Sequence, residues 1–293
     1  MTFFLQVLAN GIISGTLFAC LAIAFGLVYR NAKIFHIAYG GIFTSACYFL
    51  YVFIALLKVP VLLSFFISII CGGILGILIE KAVYLPFYKK KSSSGVFLIA
   101  SLGVYIILEN LIALIFGNET KIILPGIQPS YSLKGIIFTR IQIYQFLVSA
   151  LVILIMGISL RKFKVFKTLW AMGDRPELIS NLGLPLFKLR LFLFFLSSLI
   201  LSIPATLISL DVGTDPHQGM HYLLIAAVAV LFGGIDSFKG WWIGGFILGV
   251  LQNLVIIKFS ARYMDLVTFV ILISVLLFFP TGLFGWRKRL EEI

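Results

Sequence analysis

The chain has 293 residues, of which 61% are hydrophobic and 12% charged, with 23 Lys and Arg against 11 Asp and Glu. Soluble globular domains run at about 45–50% apolar and about 25% charged, so a water-soluble fold is excluded and a bilayer is the solvent that suits this composition. The net charge of +12 falls between apolar runs rather than on a soluble, groove-reading surface, which argues against nucleic-acid binding and for membrane topology.

A spanning helix needs about 20 apolar residues. Candidate runs occupy roughly residues 4–29, 34–57, 60–79, 96–117, 142–160, 189–210, 222–234, 241–257 and 265–284. They are continuous and lack the alternating dyads of barrel strands. The predicted fold class is therefore an all-α integral membrane protein, a polytopic helical bundle of about eight or nine transmembrane segments. The run 222–234 is short, and reads as a full span, a broken helix or one arm of a re-entrant hairpin with the next. No polar stretch is long enough to bury its own core, so residues 1–293 read as a single transmembrane domain.

Taken in order, the first run carries Gln6 and Asn10 with Gly11 and Gly15, a spacing that recurs at Gly72 and Gly76, Gly240 and Gly244, and Gly245 and Gly249. In lipid such small residues let helix backbones approach closely. Cys20, Cys47 and Cys71 fit no metal or disulfide pattern and read as small packing residues. His36 stands about one turn inside the second run, where lining a polar pathway and bonding a helix end are both open. Residues 80–95, with Lys89-Lys90-Lys91 and Ser92-Ser93-Ser94, read as a topology signal and flexible linker.

Glu109-Asn110 lies past the middle of the fourth run, where an isolated charge costs about 2.5–3.5 kcal/mol, so it must face protein or water. Pathway lining, a structural partner and protonation are all open for it, with Gln252-Asn253, Gln6 and Asn10 as candidate partners. The loop from Asn118 to Ile141 is long enough to meet a partner protein, and Asn118-Glu119-Thr120 matches a glycosylation acceptor, a pattern common by chance. His217 and His221 have the i, i+4 spacing of metal ligands, near Asp211 and Asp215, but Pro216 and Gly219 argue against a helix there. This segment reads as a loop, and no metal site is expected.

Between the fifth and sixth runs, residues 161–190 form a polar, basic passage. Asp174-Arg175-Pro176-Glu177-Leu178-Ile179-Ser180-Asn181-Leu182-Gly183 predicts a short helix with Asp174 as its cap, Pro176 near its start and Gly183 as its stop. With the C-terminus cytoplasmic, seventeen of the 23 basic residues face the cytoplasm, and only Lys58, Lys121, Lys134, Arg140, Lys258 and Arg262 lie outside. The positive-inside bias then puts the N-terminus outside and residues 161–190 in the cytoplasm. No basic region precedes the first apolar run, so no cleavable signal peptide is expected.

The chain has no Gly-x4-Gly-Lys-[Ser/Thr] loop, no His-Glu-x-x-His and no Gly-x-Ser-x-Gly. It is expected to hold no cofactor and to do no enzymology of its own. An ion-coupled secondary transporter would need a buried ionisable relay, for which Glu109 is the one well-placed group. A channel would need a filter or a ring of charge, and none is visible.

Several motifs, in order, carry a family likeness across nearly the whole chain. They are Glu80 through Pro86, Phe116-Gly117, the Asp-x-Pro-Glu-Leu-x4-Gly passage from Asp174 to Gly183, Val230-Leu231-Phe232-Gly233-Gly234-Ile235-Asp236-Ser237 with Gly240, Gly244, Gly245 and Gly249, and Phe279-Pro280-Thr281-Gly282-Leu283-Phe284-Gly285. By these the chain resembles the permease subunits of ATP-binding-cassette importers for branched-chain amino acids, the LivH-like group. Glu177 and Gly183 also keep the outline of the Glu-Ala-Ala-x3-Gly passage of importer permeases.

The resemblance implies that Asp174, Arg175, Pro176, Glu177, Leu178 and Gly183 belong to a coupling helix. It further implies two cytoplasmic ATPase subunits that hold ATP and Mg, a homologous permease or second copy of this chain, an extracytoplasmic solute-binding protein, and residence in a bacterial inner membrane. His36, Tyr39, Gly40, Glu109, Asn110, Gln252 and Asn253 are the candidate pathway residues, and the late glycines are candidates for helix packing. The chain departs from the family pattern at His36-Ile37-Ala38-Tyr39-Gly40-Gly41, where Asn and Glu are lost and Tyr replaces His, and at Ile225-Ala226-Ala227, where a Lys is lost. Those losses point to a less charged or differently shaped solute, or to groups supplied by the partner permease.

Overall fold

A computed structural model of the protein describes residues 2–126, 128–133, 135–259, 263–278 and 281–285. Helix α1 (Thr2–Ala32) is followed by α2 (Ala38–Tyr51), which runs on through a π-helical turn, Val52–Leu56. Helix α3 (Val61–Ile79) continues through a second π-helical turn, Glu80–Tyr84, into α4 (Leu85–Lys89), and α5 is Ser94–Phe116. An antiparallel hairpin, β1 (Ser130–Leu133) and β2 (Ile136–Thr139), pairs Ser130 with Thr139 and leads into α6 (Arg140–Lys162). Then come α7 (Lys164–Asp174), α8 (Pro176–Asn181), α9 (Leu186–Val212), α10 (Gln218–Gly233), α11 (Phe238–Val255) and α12 (Met264–Phe278).

Among the described residues, six helices are long and apolar enough to cross a membrane: Thr2–Ala32, Ala38–Leu56, Val61–Lys89, Ser94–Phe116, Arg140–Lys162 and Leu186–Val212. Large side chains such as Leu62, Leu114 and Leu154 are exposed on them. An apolar outer face on an apolar helix is what lipid requires and water forbids. The short seventh run becomes α10, a helix of 16 residues.

Two expectations about boundaries give way. Residues 80–95 are not a linker throughout, because the helix carries on to Lys89. The apolar spacing of this stretch buries Glu80 and Tyr84 completely while Lys81 and Lys89 stay outward. The second span begins at Ala38 rather than before His36, which lies in the non-helical link that follows α1.

The chain divides into two compact units. The first comprises residues 1–26, 128–153 and 224–293. Here α11 lies directly on α1: a Cβ on Gly249 would stand 2.5 Å from the Cα of Gly15, and one on Gly245 would stand 2.6 Å from the Cα of Ala19. No side chain fits either gap, so backbone dispersion contacts hold this crossing together. Gly233 and Gly240 meet backbone to backbone where α10 turns into α11, Gly244 faces the Ala229 carbonyl, and Gly234 makes the turn itself at φ +103°.

The second unit comprises residues 27–127 and 154–223. Its centre is the crossing of α3 with α9, where a Cβ on Gly72 or Gly76 would collide with the hydroxyl of Ser202 or Ser198. Two buried hydroxyls are satisfied within their own helices: Ser202 donates to the Ser198 carbonyl at 2.7 Å and Ser68 donates to the Ser64 carbonyl at 2.7 Å.

Candidate coupling face and pathway residues

The passage between α6 and α9 contains two helices, one more than the sequence suggested. Helix α7 is amphipathic: Leu169, Met172 and Gly173 are buried while Lys164 and Lys167 face out. It stops at Asp174 because Arg175, which precedes Pro176, is driven into extended backbone at φ −143° and ψ 86°. Asp174 is therefore not the cap of the next helix. It ends α7, and its carboxylate accepts a 2.9 Å hydrogen bond from Nη2 of Arg30.

Helix α8 then runs from Pro176, whose missing N–H costs nothing at a first helical position. Ile179 is its buried anchor, Gly183 leaves the helix at φ +72°, and the Leu184 amide closes the turn on the Ile179 carbonyl at 3.2 Å. Arg175, Glu177, Leu182 and Gly183 all face outward. A cavity of about 190 Å³ lies behind this helix, lined by residues that include Asn31, Lys33, Gly173, Pro176, Leu186 and Arg190.

Two arginines flank the passage. Arg30, near the end of α1, bonds Asp174, donates from Nη1 to the Trp170 carbonyl at 2.8 Å, and stacks 3.9 Å from the centroid of the Trp170 ring. Arg190, in the second turn of α9, donates from Nε to Oε1 of Glu80 at 2.7 Å and lies 4.2 Å from the Tyr88 ring centroid.

Close to this pair is a buried polar chain. The Tyr84 hydroxyl donates to Ser101 Oγ at 2.7 Å, which also accepts from the Ala38 amide at 2.9 Å, and His36 Nδ1 sits 2.8 Å from the Tyr84 oxygen. Burial pushes the His36 imidazole down to about 3, so the ring is neutral. Tyr39 packs edge-on to it at 6.4 Å and is fully buried. Gly40 faces the backbone of Gly219, and that close approach accommodates a glycine inside α10.

Glu109 finds a partner that the sequence did not suggest. Its Oε1 is 2.7 Å from Nδ1 of His217. Gln6 instead donates to Asn10 and to the Ile137 carbonyl, Gln252 bonds the Thr268 hydroxyl, and Asn253 donates to the Gly249 carbonyl. Asn110 is exposed and donates back to the Ile106 carbonyl. The segment around His217 and His221 was expected to be a loop, but the helix starts at Gln218 and includes His221. Among the described residues no cluster of three metal-ligating side chains occurs. Phe279 and Pro280 of the closing motif lie outside the described residues.

A polytopic bundle of apolar spans, interrupted by one two-helix excursion and carrying few charges inside, is the architecture of a membrane permease subunit. The family model described as "Branched-chain amino acid transport system / permease component" matches residues 7–276, and the chain belongs to that family. It is 28% identical to the high-affinity branched-chain amino acid transport system permease protein BraD of Pseudomonas aeruginosa, over 99% of this chain and 98% of that protein. The permease protein LivH of the same kind of system in Salmonella typhimurium is also 28% identical, with the same coverage. A probable branched-chain amino acid transport permease LivH of Methanocaldococcus jannaschii is 25% identical over 97% of this chain and 94% of its own length. Among solved structures, PsaBC from Streptococcus pneumoniae in complex with Fab is similar in fold, with a TM-score of 0.56 at 16% identity over 95% of this chain and 92% of that one.

Proposed function

We propose that this chain, a transmembrane permease subunit of an ATP-binding-cassette importer, carries a branched-chain or related small amino acid inward by alternating access. The observation that carries the reading is the full-length similarity to permeases named for branched-chain amino acids, together with the exposed α8 between two spanning helices. Two ATPase subunits would bind ATP and Mg and dock on the face formed by Asp174, Arg175, Pro176, Glu177, Leu178 and Gly183. A second permease, either homologous or a copy, would complete the pathway, and a binding protein outside would deliver the solute. The charge bias supports an outside N-terminus and a cytoplasmic α7–α8.

The test is Glu177→Lys and, separately, deletion of 174–183, each scored by co-purification with the ATPases and by binding-protein-stimulated hydrolysis. Loss of both is expected. Unchanged association would remove the coupling assignment. Uptake that survives loss of the ATPases would instead favour an ion-coupled or channel-like subunit.

A further inference from the structure

We propose that Arg30 and Arg190 are positioning residues that fasten the two ends of the coupling passage to separate spanning helices, so that a push on α8 reaches the spans as a rigid-body movement. This rests on the coupling reading of residues 174–183.

At the entry end, one guanidinium makes three attachments to the last turn of α7. It bonds the Asp174 carboxylate, bonds the Trp170 carbonyl and stacks on the Trp170 ring. The last turns of a helix carry partial negative charge, and a planar, permanently charged group that can bond and stack at once suits them better than an ammonium. Gly173 tightens the joint, because a Cβ there would lie 2.8 Å from Nη1 of Arg30 and 2.9 Å from its carbonyl oxygen. The end of α7 is thus seated on the end of α1.

At the exit end, Arg190 belongs to α9, and its partner Glu80 lies where α3 passes into the π-helical turn leading to α4. The Tyr88 ring, in α4, supports the guanidinium from the side. The side chains of this pair are 4% and 0% exposed. Its retention is poorly explained by stability, since apolar replacements of buried ion pairs are often neutral or stabilising. Glu80 Oε2 and Arg190 Nη2 have no hydrogen-bond partner among the described residues, so the pair is far from an optimised network. What the single short bond does provide is one fixed direction between α9 and α3.

Pro176, Gly173 and Leu186 border the 190 Å³ cavity, and among side chains described in α8 only Ile179 is buried. A force on α8 therefore passes to the membrane through its ends. The entry joint leads to α1 and the exit joint leads to α3, which turns a local contact into movement of two spans.

The experiment uses the importer assembled with its ATPases and binding protein in liposomes, with Arg30→Gln and Arg190→Gln, and with Arg30→Lys and Arg190→Lys as conservative variants. Uptake is read with a mixture of labelled leucine, isoleucine and valine. Arg190→Gln is expected to lower the yield of assembled importer because it strands the buried Glu80 carboxylate. Per assembled complex, basal ATP hydrolysis is expected to stay within about two-fold for both variants, while uptake per ATP hydrolysed falls roughly ten-fold, a typical coupling magnitude. The Lys variants, which keep the charge, are expected to recover part of that loss. Hydrolysis per assembled complex that falls in parallel with uptake would mean a merely structural role and would overturn the proposal, as would unchanged coupling.

A second measurement does not depend on the solute or on the folding of any arginine variant. Spin labels at Lys81→Cys and Leu182→Cys, in a chain whose three native cysteines are alanine, report the distance from α3 to the coupling passage. Rigid attachment predicts a change of no more than about 2 Å between nucleotide-free and ATP-bound states, whereas a shift of about 5 Å, one helical turn, sinks the idea. If Glu177→Lys leaves ATPase association intact, the coupling reading itself has failed. If Glu177→Lys abolishes association while both arginine variants remain fully coupled, only the joints have failed.

Discussion

Among the carboxylates of the spanning helices, Glu80 and Glu109 are each bonded at 2.7 Å to a basic side chain, and their surroundings are opposite. Glu80 is 0% exposed and its partner Arg190 4%, whereas Glu109 is 17% exposed and its partner His217 59%. Distance does not distinguish these pairs; access to water does. Arginine remains charged in any protein environment, whereas a histidine is charged only when protonated, so the basic partner of Glu80 is permanently charged and that of Glu109 is conditional. A buried permanent pair can fix geometry, and a wet conditional pair can open and close.

The sharpest way to break this comparison is Glu80→Ala. It strands a buried guanidinium without its carboxylate, for which a loss of about 3–5 kcal/mol is expected. Thermal unfolding of the detergent-solubilised protein, or of its complex with the ATPases, reads this directly. A midpoint equal to that of the unaltered protein would mean that water reaches Arg190 and that the two carboxylates are not different after all.

Much of this was legible in the sequence, and the parts that were not have a common cause. The spans follow from runs of about 20 apolar residues, and α8 follows from Pro176 and Gly183, because these signals are local. Helix α7 was missed because it lies in a passage read as a whole as polar and basic, although Leu169, Met172 and Gly173 at i, i+3 and i+4 mark its buried stripe. Glu80 and Arg190 are 110 residues apart, and Glu109 and His217 are 108 apart. One sequence without an alignment carries no signal that joins such pairs. Asp174 misled for a different reason: an Asp before Pro looks like a cap, and only the fold brings Arg30 within reach of it.

A smaller effect is expected from Tyr84→Phe, which tests whether the dry side of the comparison extends beyond the ion pair. The hydroxyl bridges His36 and Ser101 in a fully buried position. Removing it leaves a buried imidazole nitrogen without this partner, at a cost of about 1–3 kcal/mol. Unfolding measurements should place this variant between Glu80→Ala and the unaltered chain. A cost below about 0.5 kcal/mol would show that the site hydrates and that the polar chain is not dry.

The smallest effect on stability belongs to Glu109→Gln. The amide keeps the shape and can still accept from the His217 ring, and a pair this accessible to water contributes only about 0–1 kcal/mol. Unfolding is therefore expected to be nearly unchanged. Transport is where the substitution should register if the pair matters: uptake should fall while assembly and stability hold, since the neutral amide weakens the 2.7 Å contact to the His217 ring. A variant with unaltered stability and unaltered uptake would make Glu109 a bystander on a wet helix face. A variant with a large stability loss would make it a second Glu80, and the distinction between the two carboxylates would have to be drawn from something other than water.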